Sequence, residues 1–158
     1  MRYQDQVVKQ TQRALDSVLR AVEALPEDKR DWKPAETSRS ALNQLQEIAM
    51  APKMFVPLVE EGTMPDFDDH ALQEQERART GIDTFEKCRE ASMDGTSVIC
   101  QVISEFPDER LEDEVTLPFG GGMVMTMADV LGLHAWNLTY HHGQINYIQT
   151  MLGDMEMH

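Results

Sequence analysis

The chain has 158 residues, enough at the usual ~100–200 residues per domain for one domain with its own core, and a multidomain reading is excluded. Hydrophobic residues make up 41% and charged residues 27%, with 9 Gly and 7 Pro, which excludes a disordered or collagen-like chain and points to a soluble globular protein. Asp and Glu total 28 against 14 for Lys and Arg, so the net charge is −14 and a phosphate backbone is repelled; nucleic acid is not an expected partner. No window approaches the ~18 apolar residues of a membrane span, so no membrane association is expected either. The opening MRYQDQVVKQTQRALD holds no apolar run of the signal-peptide kind. Cys88 and Cys100 fall within one expected helix, about 18 Å apart, too far to bridge. These features together point to the cytoplasm.

In chain order, Val8, Leu15, Val18, Val22 and Leu25 recur at helical spacing and predict an amphipathic helix over about Asp5 to Leu25, stopped by Pro26. Pro26 to Ser40 reads as a connection pinned by the indole of Trp32. Ser40 can cap a second helix whose apolar face comprises Leu42, Leu45, Ile48, Ala49, Phe55, Leu58 and Val59. Pro52 should kink it near Ile48. The acidic stretch Glu61 to Thr80 is irregular, with one short helix over His70 to Arg79. Thr80 and Asp83 resemble a capping box before a third long helix, marked by Phe85, Cys88, Ser92, Gly95, Ile99, Val102 and Phe106 and closed by Pro107. Ser92 and Gly95 are small enough to admit a close helix neighbour.

Val115 to Leu117 and Met123 to Met125 flank a turn-prone Pro118 to Gly122 and predict a small hairpin. Its three glycines are not a phosphate cradle, because Met and Val follow where a Walker loop needs Lys and then Ser or Thr. Thr126 and Asp129 form a capping box for a last helix over about Met127 to Leu152, ending at Gly153. The expected fold is all-α, with four long helices.

Three of the five histidines lie in LHAWNLTYHHGQINYIQTMLGD. At ~100° per residue, His134, Asn137 and His141 share one narrow sector with Val130, Gln144 and Ile148, so these polar groups point inward. A buried imidazole or amide must find a partner, and neutral imidazole is the commonest protein metal ligand. Asn137 and His141 could grip one divalent ion, or could be hydrogen-bonded core residues. His142 should face solvent, Trp136 and Tyr140 should be packing groups, and His70 sits in the acidic loop with no visible partner.

The arrangement of WKP (Trp32 to Pro34), SRSALNQLQEIAMAP (Ser38 to Pro52), TMADVL (Thr126 to Leu131) and YHHGQINYIQ (Tyr140 to Gln149) resembles the DinB/YfiT-like superfamily over nearly the whole chain, most specifically in the H-x-G-Q. The resemblance implies a four-helix bundle with a long crossover, often a homodimer, and in many members a nickel or zinc ion held by three histidines. Some relatives use low-molecular-weight thiols, among them mycothiol-dependent maleylpyruvate isomerase and bacillithiol transferases. Carried over position by position, the final histidine of H-x3-H falls on His141, the first falls on Asn137, and the helix-two histidine falls on Glu47. Only one imidazole of three remains. The implied set Glu47, Asn137 and His141 is harder than three imidazoles, so manganese and magnesium become candidates beside nickel and zinc, as does no metal at all. His134, one turn before Asn137, is an alternative ligand or a group behind the ligands.

Two readings follow. In one, the protein is a divalent-metal-dependent transferase or hydrolase acting on a small molecule, with a metal-activated thiol or water as nucleophile. In the other, the metal site has decayed, and the bundle binds a small ligand or only dimerises.

Overall fold

A computed structural model of the protein describes residues 1–65 and 68–158. The apolar repeat at the start of the chain forms α1 (Tyr3–Ala24), whose Val7, Leu15, Val18 and Val22 are buried. It stops where expected, since Pro26 cannot continue a helix and Leu25 is already extended. Ser40 accepts a hydrogen bond from the Asn43 N–H and caps α2 (Ala41–Met50), and α3 (Pro52–Glu61) follows at once. The interruption falls at Ala51 rather than near Ile48. Pro52 has no N–H to offer Ile48, and the Ala51 N–H is shared between the Glu47 and Ile48 carbonyls, so the ladder breaks at the residue before the proline.

In the acidic stretch, α4 (Asp69–Gly81) contains the expected short helix and extends it at both ends; residues 66 and 67 of that stretch lie outside the described residues. Thr80 does not cap the next helix. Its hydroxyl donates back to the Glu76 carbonyl at 2.8 Å inside the last turn of α4, while Thr84 accepts from the Lys87 N–H and caps α5 (Phe85–Glu105). Asp83 instead pairs with Lys87 at 2.7 Å. The register slips by four residues because Ile82 leaves helical geometry and a fresh start is needed after it.

The hairpin of β1 (Glu114–Leu117) and β2 (Met123–Thr126) is antiparallel, with Glu114 opposite Thr126 and Leu117 opposite Met123. Gly120, Gly121 and Gly122 have φ of 60°, 82° and 103°, a left-handed run that any side chain would strain. The capping box of Thr126 and Asp129 forms, but the helix it starts is interrupted: α6 (Met127–Leu131) gives way at Gly132 to α7 (Leu133–Met151). Leu152 and Gly153 end it as expected.

Packing explains the topology. The helix α1 packs on α5 and α7, and α2 packs on the same two, so α1 opposes α2 across the core and α5 opposes α7. The first and second members of the bundle are therefore diagonal, as are the third and fourth, and the connections 25–40 and 106–126 must each cross an end. One cluster of buried residues, with Val18, Val22, Leu45, Ile48, Leu138 and Ile145, fills the α2 half. A second, with Phe55, Leu58, Ile99, Ile103, Met127 and Leu131, fills the α3 half. At the junction Gly95 meets the kink, where an added Cβ would lie 2.9 Å from Pro52 Cγ. Its small size is a packing requirement. Helix α4 contributes no buried residue and lies on α2 as an outer layer. Among the described residues, no helix is long and apolar enough to cross a membrane.

Candidate functional site

The packing of α2 against α7 brings together side chains that are far apart in sequence. Gln44 and Glu47, one turn apart on α2, meet Asn137 and His141, one turn apart on α7, at the wall of a cleft of about 900 Å³. His141 is fully buried. Its Nδ1 lies 3.1 Å from Gln44 Oε1. An amide oxygen can only accept, so Nδ1 carries the proton, and in the neutral ring Nε2 presents its lone pair. That lone pair faces Glu47 Oε1 at 3.5 Å, without an aligned hydrogen-bond partner. Asn137 Oδ1 is likewise buried without a donor.

Glu47 is half-exposed, and its other oxygen is held by Arg39 Nη1, from the turn preceding α2. When the ring takes a second proton, Nε2 can donate to Glu47 and holds that carboxyl below the usual range; burial opposes this, and the positive charges of that ring, Arg39 and Arg79 act in the same direction as the hydrogen bond. Glu47 is therefore ionised near neutral pH. With the His141 ring neutral, three groups with electron pairs to give, Glu47 Oε1, Asn137 Oδ1 and His141 Nε2, thus line one cleft. Such a set calls for a cation, supplied either as a second proton on the ring or as a metal ion.

Fit to a metal can be judged from the donors. Gln44 behind Nδ1 is the arrangement that fixes a ligating imidazole, and two of the three candidate donor atoms are orphaned. The chemistry is one nitrogen and two oxygens, suited to a harder, more weakly held ion than three histidines would take. Among the described residues, no group of three or more His, Cys, Asp or Glu is placed to hold a metal ion, so the amide must count as a ligand. The donors fit a divalent cation of modest affinity.

His134 is not brought to this cleft. Its Nε2 lies 2.9 Å from Thr96 Oγ1 on α5, its ring is 5.8 Å from that of Phe55, and Nδ1 has no partner. Burial pushes its pKa down to about 4, so it is neutral. His142, expected in solvent, is partly buried; its Nε2 is 3.2 Å from Asn146 Nδ2, and burial and the charge of Arg20 lower its pKa. His70 lies on α4, exposed, 4.0 Å from Glu74.

Trp136 and Tyr140 are not packing groups. They are 64% and 50% exposed, stacked with ring centres 5.6 Å apart, and line the cleft together with Tyr147. Sequence reasoning also missed Arg39 and Gln44. The spacing of Gln44 to Glu47, three residues on one helix, was a usable signal for the latter; nothing local marked Arg39. A second cavity of about 520 Å³, between α2, α3 and α4, shares Glu47 and Asn137 with the first. Both cysteines are free and buried, and burial pushes the thiols up to about 12 for Cys88 and about 11 for Cys100, so neither is a ready nucleophile.

The fold and its crossed connections recur in solved structures. YfiT from Bacillus subtilis, described as a probable metal-dependent hydrolase with an unusual four-helix bundle topology, superposes with a TM-score of 0.75 at 15% identity, covering 96% of this chain and 88% of that one. A DinB-like protein of Bacillus subtilis, YjoA, gives 0.66 at 18% identity, with 97% and 96% covered. The mycothiol-dependent maleylpyruvate isomerase gives 0.67 at 11% identity, with 90% of this chain covered and only 60% of that longer one. At these identities the likeness concerns the fold. No curated protein sequence matches at a significant level. The sequence profile of the DinB superfamily matches residues 10–145, most of the chain, and the protein belongs to that superfamily.

Proposed function

We propose that the protein is a divalent-cation-dependent transferase or hydrolase for a small molecule, with Glu47, Asn137 and His141 as the cation's ligands. The observation that carries this reading is that Asn137 Oδ1 and His141 Nε2, both buried without a hydrogen-bond partner, share one cleft with the Glu47 carboxylate, whose Oε1 lies 3.5 Å from Nε2. When bound, a manganese, zinc or nickel ion would supply Lewis acidity sufficient to ionise a water or a low-molecular-weight thiol near neutral pH. Gln44 holds the His141 ring in the tautomer that presents Nε2. Glu47 supplies the only formal negative charge of the three. The rings of Trp136 and Tyr140 offer a face for the body of a ligand. With Cys88 and Cys100 buried and protonated, any thiol must come from outside the chain. Support also comes from relatives, one described as a probable metal-dependent hydrolase and another as mycothiol-dependent. His134 acts at most through packing behind α7. We place the protein in the cytoplasm as a homodimer.

Isothermal titration with manganese, zinc and nickel tests this. One ion per chain should bind, and Glu47→Gln should weaken it at least tenfold, since the carboxylate provides the charge. No binding of any of the three ions would overturn the reading. The pairing of Arg39 with Glu47 favours a second reading, in which that ion pair takes the cation's place and the cleft binds a small ligand without catalysis. Under it, added metal leaves the melting temperature unchanged.

A further inference from the structure

We propose that Arg39 is an exchangeable counter-ion of Glu47, so that the cleft takes two ligands cooperatively: a divalent cation at Glu47, Asn137 and His141, and at Arg39 a small carboxylate with a flat, apolar body. This rests on the cation reading above and adds the substrate class and the coupling between the two ligands.

The geometry points to exchange because Glu47 cannot serve two cations comfortably. Its Oε2 is taken by Arg39 and its Oε1 is turned to His141. A divalent ion on Oε1 would sit within a few ångströms of the Arg39 guanidinium, and at that range like charges repel even where water reaches them. One of the two must give way. Arg39 is free to do so. It lies outside any helix, in the turn before the Ser40 cap, and its side chain is 51% exposed. The other arginine near Glu47, Arg79, is tied to Glu76 by two bonds of 2.9 and 2.6 Å on α4 and is held in place.

A released guanidinium needs a new acceptor, and its planar fork matches a carboxylate. Arg39 lines the same cleft as Trp136, Tyr140 and Tyr147. Trp136 and Tyr140 are stacked with only 21° between their planes, a surface that suits a flat apolar body, and Tyr147 is 67% exposed. A ligand with its carboxylate on Arg39 and its body on these rings uses both features. An organic cation placed on these rings would face Arg39 and is disfavoured as the second ligand. Because each ligand removes the obstacle to the other, coupling must be reciprocal: the carboxylate tightens the cation as much as the cation tightens the carboxylate.

The test is a titration of Mn²⁺, followed by its electron paramagnetic resonance signal, into the full chain and its variants with and without benzoate. In the wild type, saturating benzoate should tighten Mn²⁺ binding about fivefold or more. Arg39→Gln should bind Mn²⁺ at least as tightly as the wild type without benzoate, and benzoate should have no further effect. Trp136→Ala should leave Mn²⁺ binding alone unchanged but reduce the benzoate effect, and acetate, with the charge but no ring, should couple more weakly than benzoate. Unchanged coupling in Arg39→Gln, or weaker Mn²⁺ binding in it, would overturn the exchange while leaving the cation site intact. Equal coupling by acetate and benzoate, or an unaffected Trp136→Ala, would overturn the flat-bodied ligand. Absence of Mn²⁺ binding in both the wild type and Arg39→Gln would overturn the cation site and the exchange together.

Discussion

Two buried imidazoles on α7, seven residues apart, have opposite surroundings. His134 and His141 share one helix face, are almost wholly inaccessible, and each leaves one ring nitrogen without a hydrogen bond. At His134 the ring meets the Thr96 hydroxyl and the Phe55 ring, and among the described residues no carboxylate is ion-paired to it. At His141 the unpaired nitrogen faces a carboxylate at 3.5 Å and borders a cleft. Burial of an imidazole is therefore not what makes a site. What matters is a second unmatched donor, a source of negative charge, and a path to solvent, and of these two positions the middle of α7, at His141, has all three.

The comparison can be broken or sharpened by variants. The largest effect should come from Leu138, fully buried between the two histidines. Leu138→Ala should cost about 2–5 kcal/mol in a urea melt, because the surrounding helices cannot close the cavity. A loss below 1 kcal/mol would mean that the two regions are not joined by one rigid core.

His134 should next reveal itself through pH. Its folded-state pKa of about 4 lies below the ordinary 6.5, so unfolding takes up a proton across that window. Stability contributed by the neutral buried ring is fully present above about 6.5 and is lost as pH falls through about 4. The loss amounts to roughly 3 kcal/mol, at about 1.4 kcal/mol per unit. His134→Gln, which keeps a partner for Thr96, should have a flatter stability profile than the wild type over that range, so the difference between the two changes with pH. An unaltered pH profile in His134→Gln would place the titrating group elsewhere.

The smallest of these effects concerns metal. At a hundredfold excess over its dissociation constant, a bound ion should stabilise the wild type by about 2.7 kcal/mol. His134→Gln should retain that increment, and Glu47→Gln should lose it. Loss of the increment in both would erase the distinction between the first turn and the middle of α7.

The fold was largely legible because helix periodicity, proline stops and caps are local signals: Ser40, Thr126 with Asp129, and Pro26 each did what their chemistry predicts. The errors arose where two local signals competed. Thr80 and Thr84 both suit a cap, and only the non-helical backbone at Ile82 decides between them. Gly132 interrupts the last helix although the apolar pattern runs through it. At the candidate site, Glu47, Asn137 and His141 came from family resemblance combined with helix phase. Arg39 did not, since an ion pair eight residues apart across a turn leaves no periodic trace. The exposure of Trp136 and Tyr140 was equally hidden: residue type alone suggests burial, and only the folded arrangement, which leaves them 64% and 50% exposed, shows otherwise.

The central claim is that the electron pairs of Glu47, Asn137 and His141 converge on a cation. Anomalous scattering from crystals grown with manganese or zinc tests it most directly. The account predicts one peak within about 2.0–2.2 Å of Glu47 Oε1, Asn137 Oδ1 and His141 Nε2. A cleft without such a peak, in which His141 Nε2 donates a proton straight to Glu47 while Arg39 keeps its hold on the other oxygen, would contradict it.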